Sequence, residues 1–206
     1  MQTHVITEIH ILGSSLINNL AGYVEKGRGD RGIPNPPNIK GESGLGLMGM
    51  RQLMDKNLKE KGMGYVIVHA GANDICNGKE REWLLELEAT LAYMKARFKG
   101  YQPVWSDMLP RINWRHKPND MHHRAEDIRN EEYVRNVMDK CRKRLQRRAR
   151  LKFAEFGGKI IHHPSLQQDL GLLSPKDGVH LTQQGQADFW GDFLNFIHNV
   201  SAGKGY

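Results

Sequence analysis

Apolar positions along the chain change their period repeatedly. Val5 to Leu12 reads as a strand running into Gly13-Ser14-Ser15, and Leu16 to Val24 as a short helix. Residues 27–44 hold five glycines and three prolines, which predicts loop with at most one poor edge strand. Leu47 to Lys61 has helical spacing, while the short apolar run Tyr65 to His69 suits a buried parallel strand. Leu84, Leu87, Leu91, Met94 and Phe98 line one face of an amphipathic helix, and Gln102 to Trp105 is a further short strand. Beyond the Pro110–Pro118 loop a long helix turns Val134, Val137, Met138, Cys141, Leu145, Phe153 and Phe156 inward and stops at Gly157-Gly158. Lys159 to His162 is the last strand. Thr182 caps a final helix that runs through Val200, with Phe189, Trp190, Phe193 and Ile197 on its core side.

Alternating strands and helices imply a three-layer α/β/α architecture, flavodoxin-like, with a mainly parallel sheet of about five strands. No internal repeat divides the chain, so residues 1–206 read as a single domain, with 200–206 expected as a flexible tail. The 39% hydrophobic content excludes wholesale disorder, and no apolar run approaches the ~18 residues of a transmembrane helix. The opening MQTHVITEIHILGSS has no basic segment followed by a long apolar stretch, so no signal peptide is expected. The 2 cysteines, Cys76 and Cys141, make neither a disulfide framework nor a zinc spacing, which points to a reducing intracellular setting, cytoplasmic or nuclear. Oligomeric state is left open.

Charge changes the picture only locally. The chain carries 30 basic and 23 acidic residues, a formal net charge of +7. Lys140, Arg142, Lys143, Arg144, Arg147, Arg148, Arg150 and Lys152 lie in one acid-free run and account for the whole excess. Residues 140–152 are therefore a candidate surface for non-specific nucleic acid, with Arg144, Arg147 and Arg148 on the outward ridge. No aromatic residue lies within that run to stack bases, so no sequence preference is expected. The bland alternative is a solvated helix face.

The candidate chemistry sits at strand ends. The first strand delivers Ser15 into a helix, the central strand delivers Gly71-Ala72-Asn73-Asp74, and Asp177-Gly178-Val179-His180-Leu181 precedes the last helix. Each has an ordinary reading: Ser15 as a helix cap, Asn73 and Asp74 as turn residues, Asp177 and His180 as a loop with local hydrogen bonds. Taken together they supply a nucleophile, an oxyanion donor, a base and an orienting acid, the set that acyl transfer needs.

These blocks resemble those of the SGNH hydrolase superfamily, the GDSL-type esterases and lipases. Ser15 in GSSL matches its nucleophile block, Asn73 in GAND its asparagine block, and Asp177 and His180 in DGVHL its acid–base block. Gly49, ahead of Gly44 and Gly46, is taken for the glycine block. The GSS segment, Trp105-Ser106-Asp107-Met108-Leu109-Pro110-Arg111 and DGVHL also look like the SGNH domains encoded by some animal retroelements. The resemblance implies a serine esterase with catalytic Ser15, Asp177 and His180, and an oxyanion hole of Ser15, Gly49 and Asn73. It implies no cofactor and no metal, and a small-molecule or lipid ester as substrate: a short acyl or acetyl ester, or a lysophospholipid. Ser14 departs from the family, which has aspartate there as a support to the loop.

Three other motifs are set aside. Gly41-Glu42-Ser43-Gly44-Leu45 nearly spells a nucleophile elbow, but Leu45 replaces the final glycine and no apolar strand is expected before it. His122-His123 and His162-His163 are adjacent pairs without metal-ligand spacing, and Arg28-Gly29-Asp30 is loop composition. Two other functions compete with hydrolysis. One is a catalytically weak module binding nucleic acid through the basic helix. The other is a flavodoxin-like nucleotide binder, which GSSL does not favour because it has no phosphate-binding glycine pattern.

Overall fold

Both faces of the sheet are apolar because both are covered. Ile9, Ile11, Ile67, Val104 and Ile161 point into one buried cluster, and Leu12, Val66, Val68 and Trp105 into the other. That is why the strands read as near-continuous apolar runs. The computed structural model of the chain describes residues 8–28, 33, 35–75, 79–115 and 129–202. Strands β1 (Glu8–Gly13), β2 (Asn38–Gly41), β3 (Gly64–His69), β4 (Tyr101–Ser106) and β5 (Lys159–Ile161) form a 5-stranded sheet in the order β2-β1-β3-β4-β5. Every pairing is parallel.

Helices α2 (Leu47–Asn57), α3 (Glu80–Arg97) and α4 (Glu131–Glu155) cover the face of Leu12 and Trp105. Helices α1 (Ser15–Tyr23), α5 (Pro164–Gln168) and α6 (Gln183–Ser201) cover the other, with Leu16, Ile17, Leu20, Leu166, Phe189 and Phe193 buried there. This is the three-layer, flavodoxin-like arrangement that the alternation implies. Its strand order reverses at β1, so a crevice opens at the carboxyl edge between β1 and β3.

Local departures from the sequence reading have simple causes. Helix α2 stops at Asn57 rather than Lys61, because Leu58 turns extended (ψ 149°) and buries its side chain. The short α5 carries one buried apolar residue, Leu166, too little for a periodic signal, and starts with proline at its first turn. The last helix runs through Val200 as expected and takes in one residue more, Ser201. Thr182 caps α6 as its sequence suggests, accepting the Gly185 N–H at 3.1 Å. Among the described residues of 27–44, strand β2 is the one edge strand, and it does precede the rejected elbow. It is the polar segment Asn38-Ile39-Lys40-Gly41. Cys76, Gly29, Asp30, His122 and His123 lie outside the described residues. Among the described residues no helix is long and apolar enough to cross a membrane.

Candidate active site

Gly13 and His69 end β1 and β3 in register, which sets the loops after them side by side. The Ser14 N–H donates to the His69 carbonyl at 3.3 Å, and the Ser14 carbonyl starts α1 by accepting from Ile17 and Asn18. Ser14 is buried at 5% exposure and its hydroxyl makes no capping bond. Ser15 is the first residue of α1. Its N–H is therefore one of the helix's free first-turn donors, at the positive end of the helix dipole.

Asp177 and His180, the residues expected as acid and base, lie in the loop before α6. His180 Nε2 lies 3.1 Å from Ser15 Oγ, and His180 Nδ1 lies 2.6 Å from Asp177 Oδ2. The other carboxylate oxygen, Asp177 Oδ1, accepts the backbone N–H groups of Val179 and His180, each at 2.9 Å. Partial desolvation raises the Asp177 pKa, but the bonds from the His180 ring and from the His180 and Val179 amides outweigh it and pull the carboxyl down to about 2. The acid is thus ionised at neutral pH, and its bond to Nδ1–H leaves Nε2 as the acceptor facing Ser15. Gly178 has φ +62°, and a side chain there would also run into Ile112 at 2.6 Å, which is why glycine follows the acid.

Asn73 stands beyond β3 with both ends of its amide engaged. Its Nδ2 donates to the Leu45 carbonyl at 2.9 Å, and its Oδ1 accepts from Arg111 Nη2 at 3.0 Å. Because arginine only donates, the oxygen must face Arg111, and one Nδ2–H is left over. Asp74 caps α2 by accepting the Leu47 N–H at 2.9 Å, and a side chain at Gly46 would collide with that carboxylate at 2.1 Å. Gly49 sits inside the first turn of α2, where a side chain would run into Leu45. No hydrogen bond among the described residues joins it to Ser15, Asn73 or His180. A cavity of about 330 Å³ opens beside Asn73, lined by Leu47, Met48, Trp83, Asp74, Lys79 and Glu82.

A second serine–histidine–aspartate chain lies in the interior. Ser106 Oγ is 2.8 Å from His163 Nε2, and His163 Nδ1 is 2.8 Å from Asp192 Oδ2. Ser106 Oγ also lies 2.9 Å from His69 Nδ1. Ser106 and His163 are 0% exposed, so no substrate reaches them, and the chain serves as a satisfied buried network. His162, next in sequence, turns the other way to Asp107 at 2.8 Å. No group of three or more metal-ligating side chains is assembled among the described residues. Neither this network nor Arg111 was legible as part of a site, since their partners lie far apart in the sequence.

The basic run proves to be answered by acids that flank it on its own helix and by others from elsewhere in the fold. Arg142 is fully buried, paired with Asp139 and bonded to the Met108 carbonyl. Lys143 pairs with Asp139, Arg144 with Glu80, Arg150 with Asp107, and Lys152 with Glu88 and Glu155. Of the expected ridge, Arg147 and Arg148 stay exposed without an ion pair among the described residues, and Arg144 does not.

The model of the GDSL-like lipase/acylhydrolase family matches residues 10–189, from within β1 into α6. No curated protein matches the chain in sequence. Among solved structures, a protein described as an acylhydrolase from Bacteroides fragilis is similar with a TM-score of 0.64 and 13% identity, covering 97% of this chain and 90% of that one. One described as an SGNH hydrolase from Slackia heliotrinireducens has a TM-score of 0.61 and 13% identity, covering 93% and 98%. The OSK domain of Drosophila Oskar has a TM-score of 0.58 and 16% identity, covering 93% and 86%. Identities this low speak for the fold alone. The family match begins inside β1, takes in β2 to β5 and includes Ser15, Gly49, Asn73, Asp177 and His180, and on it the chain belongs to the GDSL-like lipase/acylhydrolase family.

Proposed function

We propose that this protein hydrolyses carboxylic esters of short acyl groups through Ser15, His180 and Asp177. His180 Nε2 takes the Ser15 proton as Oγ attacks the ester carbonyl, and the carbonyl oxygen becomes an oxyanion. The Ser15 N–H and the remaining Asn73 Nδ2–H are the donors for that charge. Collapse of the intermediate breaks the acyl–oxygen bond, and His180 returns the proton to the leaving alcohol. Water then attacks the acyl-enzyme with His180 again as base, freeing the acid and restoring Ser15. Asp177 holds the ring's orientation and stabilises the imidazolium throughout. The Gly49 N–H, in the first turn of α2, is a third candidate donor for the oxyanion charge.

The observation that carries the reading is the unbroken run from Ser15 Oγ through the ring to Asp177, at 3.1 and 2.6 Å. The acyl preference takes the cavity of about 330 Å³ beside Asn73 as the acyl pocket, although neither Ser15 nor His180 is among its lining residues. That lies at the lower end of ligand-site volumes, roughly 300–1,000 Å³, and suits an acetyl or short chain better than a fatty acyl chain. The test is a panel of p-nitrophenyl acetate, butyrate and octanoate beside a lysophosphatidylcholine. The expected result is Ser15-dependent turnover that falls as the acyl chain lengthens. Turnover that rises with chain length, or that favours the lysophospholipid, overturns the short-acyl assignment. Nucleic-acid binding through α4 has less support, because most of the basic run is already paired within the fold.

A further inference from the structure

Asn73 can serve an oxyanion only if its amide nitrogen, and not its oxygen, faces the reacting carbonyl. Most asparagines leave that choice to a weak local balance. Here a cation settles it. Arg111 reaches Asn73 Oδ1 at 3.0 Å from the loop that follows β4. Its guanidinium is buried at 5% exposure and lies over the Trp114 ring at 5.7 Å. Desolvation pulls the Arg111 pKa down to about 10, with the Asp74 carboxylate working against it, so the group is charged at neutral pH all the same.

The surrounding loop is fixed to the acid–base block as well. The Ile112 N–H donates to the Gly178 carbonyl at 2.8 Å, and Asn113 Nδ2 donates to the Asp177 carbonyl at 2.9 Å. The same few residues therefore hold the oxyanion donor and the acid–base loop in one frame. A positive charge on an amide oxygen also draws density from its nitrogen, making the remaining Nδ2–H a stronger donor.

We infer that Arg111 is a positioning residue of the oxyanion hole: it locks the orientation of the Asn73 amide and polarises it toward the substrate. The inference rests on the reading of Asn73 as an oxyanion donor, and its test separates the two. The first readout needs no turnover. In a 15N-labelled protein the Asn73 side-chain amide, identified by its loss in Asn73→Asp, is compared between wild type and Arg111→Met. A clear shift of that pair, with α6 signals unmoved, is expected. An unchanged pair overturns the inference whether or not the protein is an esterase.

The second readout is a double-mutant cycle on p-nitrophenyl acetate. Arg111→Met is expected to lower kcat about tenfold at near-constant KM, less than the roughly hundredfold or more that loss of a direct donor costs. Arg111→Lys, which keeps a cationic donor, should recover part of that loss, and it stands in for Arg111→Met if the latter does not fold. In an Asn73→Ala background the Arg111 effect should vanish. Full additivity of the two losses overturns the inference while leaving the triad intact. Loss of Ser15 dependence in the wild type counts instead against the esterase reading.

Discussion

At the scale of single residues, the order of the groups in the crevice is a consequence of which atoms can donate. Asp177 accepts from three N–H groups and so keeps its proton off down to about pH 2, against an ordinary value of 3.8. Its contribution to stability is complete above about 3.8 and is lost as pH falls toward 2. Acid inactivation at milder pH therefore does not come from protonation of Asp177. Asp177→Asn should lower kcat by about four orders of magnitude, because an amide can present its N–H to the ring and stabilise the wrong tautomer. A kcat within tenfold of wild type would show that Asp177 does not orient His180. Ser15, Asn73, Asp177 and His180 stood out as candidates in the sequence because each lies within a few residues of a strand end or a helix start. Arg111 was not, although its segment stood out, because its partner Asn73 comes from a different strand end.

At the scale of elements, what links the catalytic edge to the core is the buried chain from His69 through Ser106 and His163 to Asp192. It joins β3, β4, the end of β5 and α6, and His69 carries on its carbonyl the Ser14 N–H beside the nucleophile. Desolvation, and after it the nearby His163 and Arg111, hold His69 well below the ordinary 6.5, so it is neutral when folded. On unfolding it takes up a proton below about pH 6.5, where the unfolded state then binds more protons than the folded one. Stability from this group is present above 6.5 and declines as the solution is acidified. Melting temperatures measured from neutral to mildly acid pH should fall, and His69→Gln should flatten that fall. An equal slope in the variant would place the acid sensitivity elsewhere. Long elements with regular periods were read correctly from sequence. The errors fell on ends and short pieces, α2 past Asn57 and α5, where a single side chain such as Leu58 or Leu166 decides the outcome.

At the scale of the whole molecule, the sheet order was legible as a class, since buried strands alternating with amphipathic helices leave few alternatives to a three-layer parallel fold. Charge was not legible in the same way. An acid-free run looks like a basic surface in one dimension, but Glu80, Glu88 and Asp107 come from other elements to meet it, and Arg142 is drawn inside altogether. What the sequence shows as an excess the fold largely spends on packing α4 against α3 and the end of β4. The functional weight then falls on the crevice at the strand-order reversal, and on one claim, that Ser15 is a nucleophile made reactive by His180. Intact-protein mass spectrometry after reaction with a fluorophosphonate tests it most directly. The account predicts a single adduct on the peptide containing Ser15, absent in Ser15→Ala and strongly slowed in His180→Gln. Labelling on another residue, or labelling of Ser15 at an unchanged rate without His180, would contradict it.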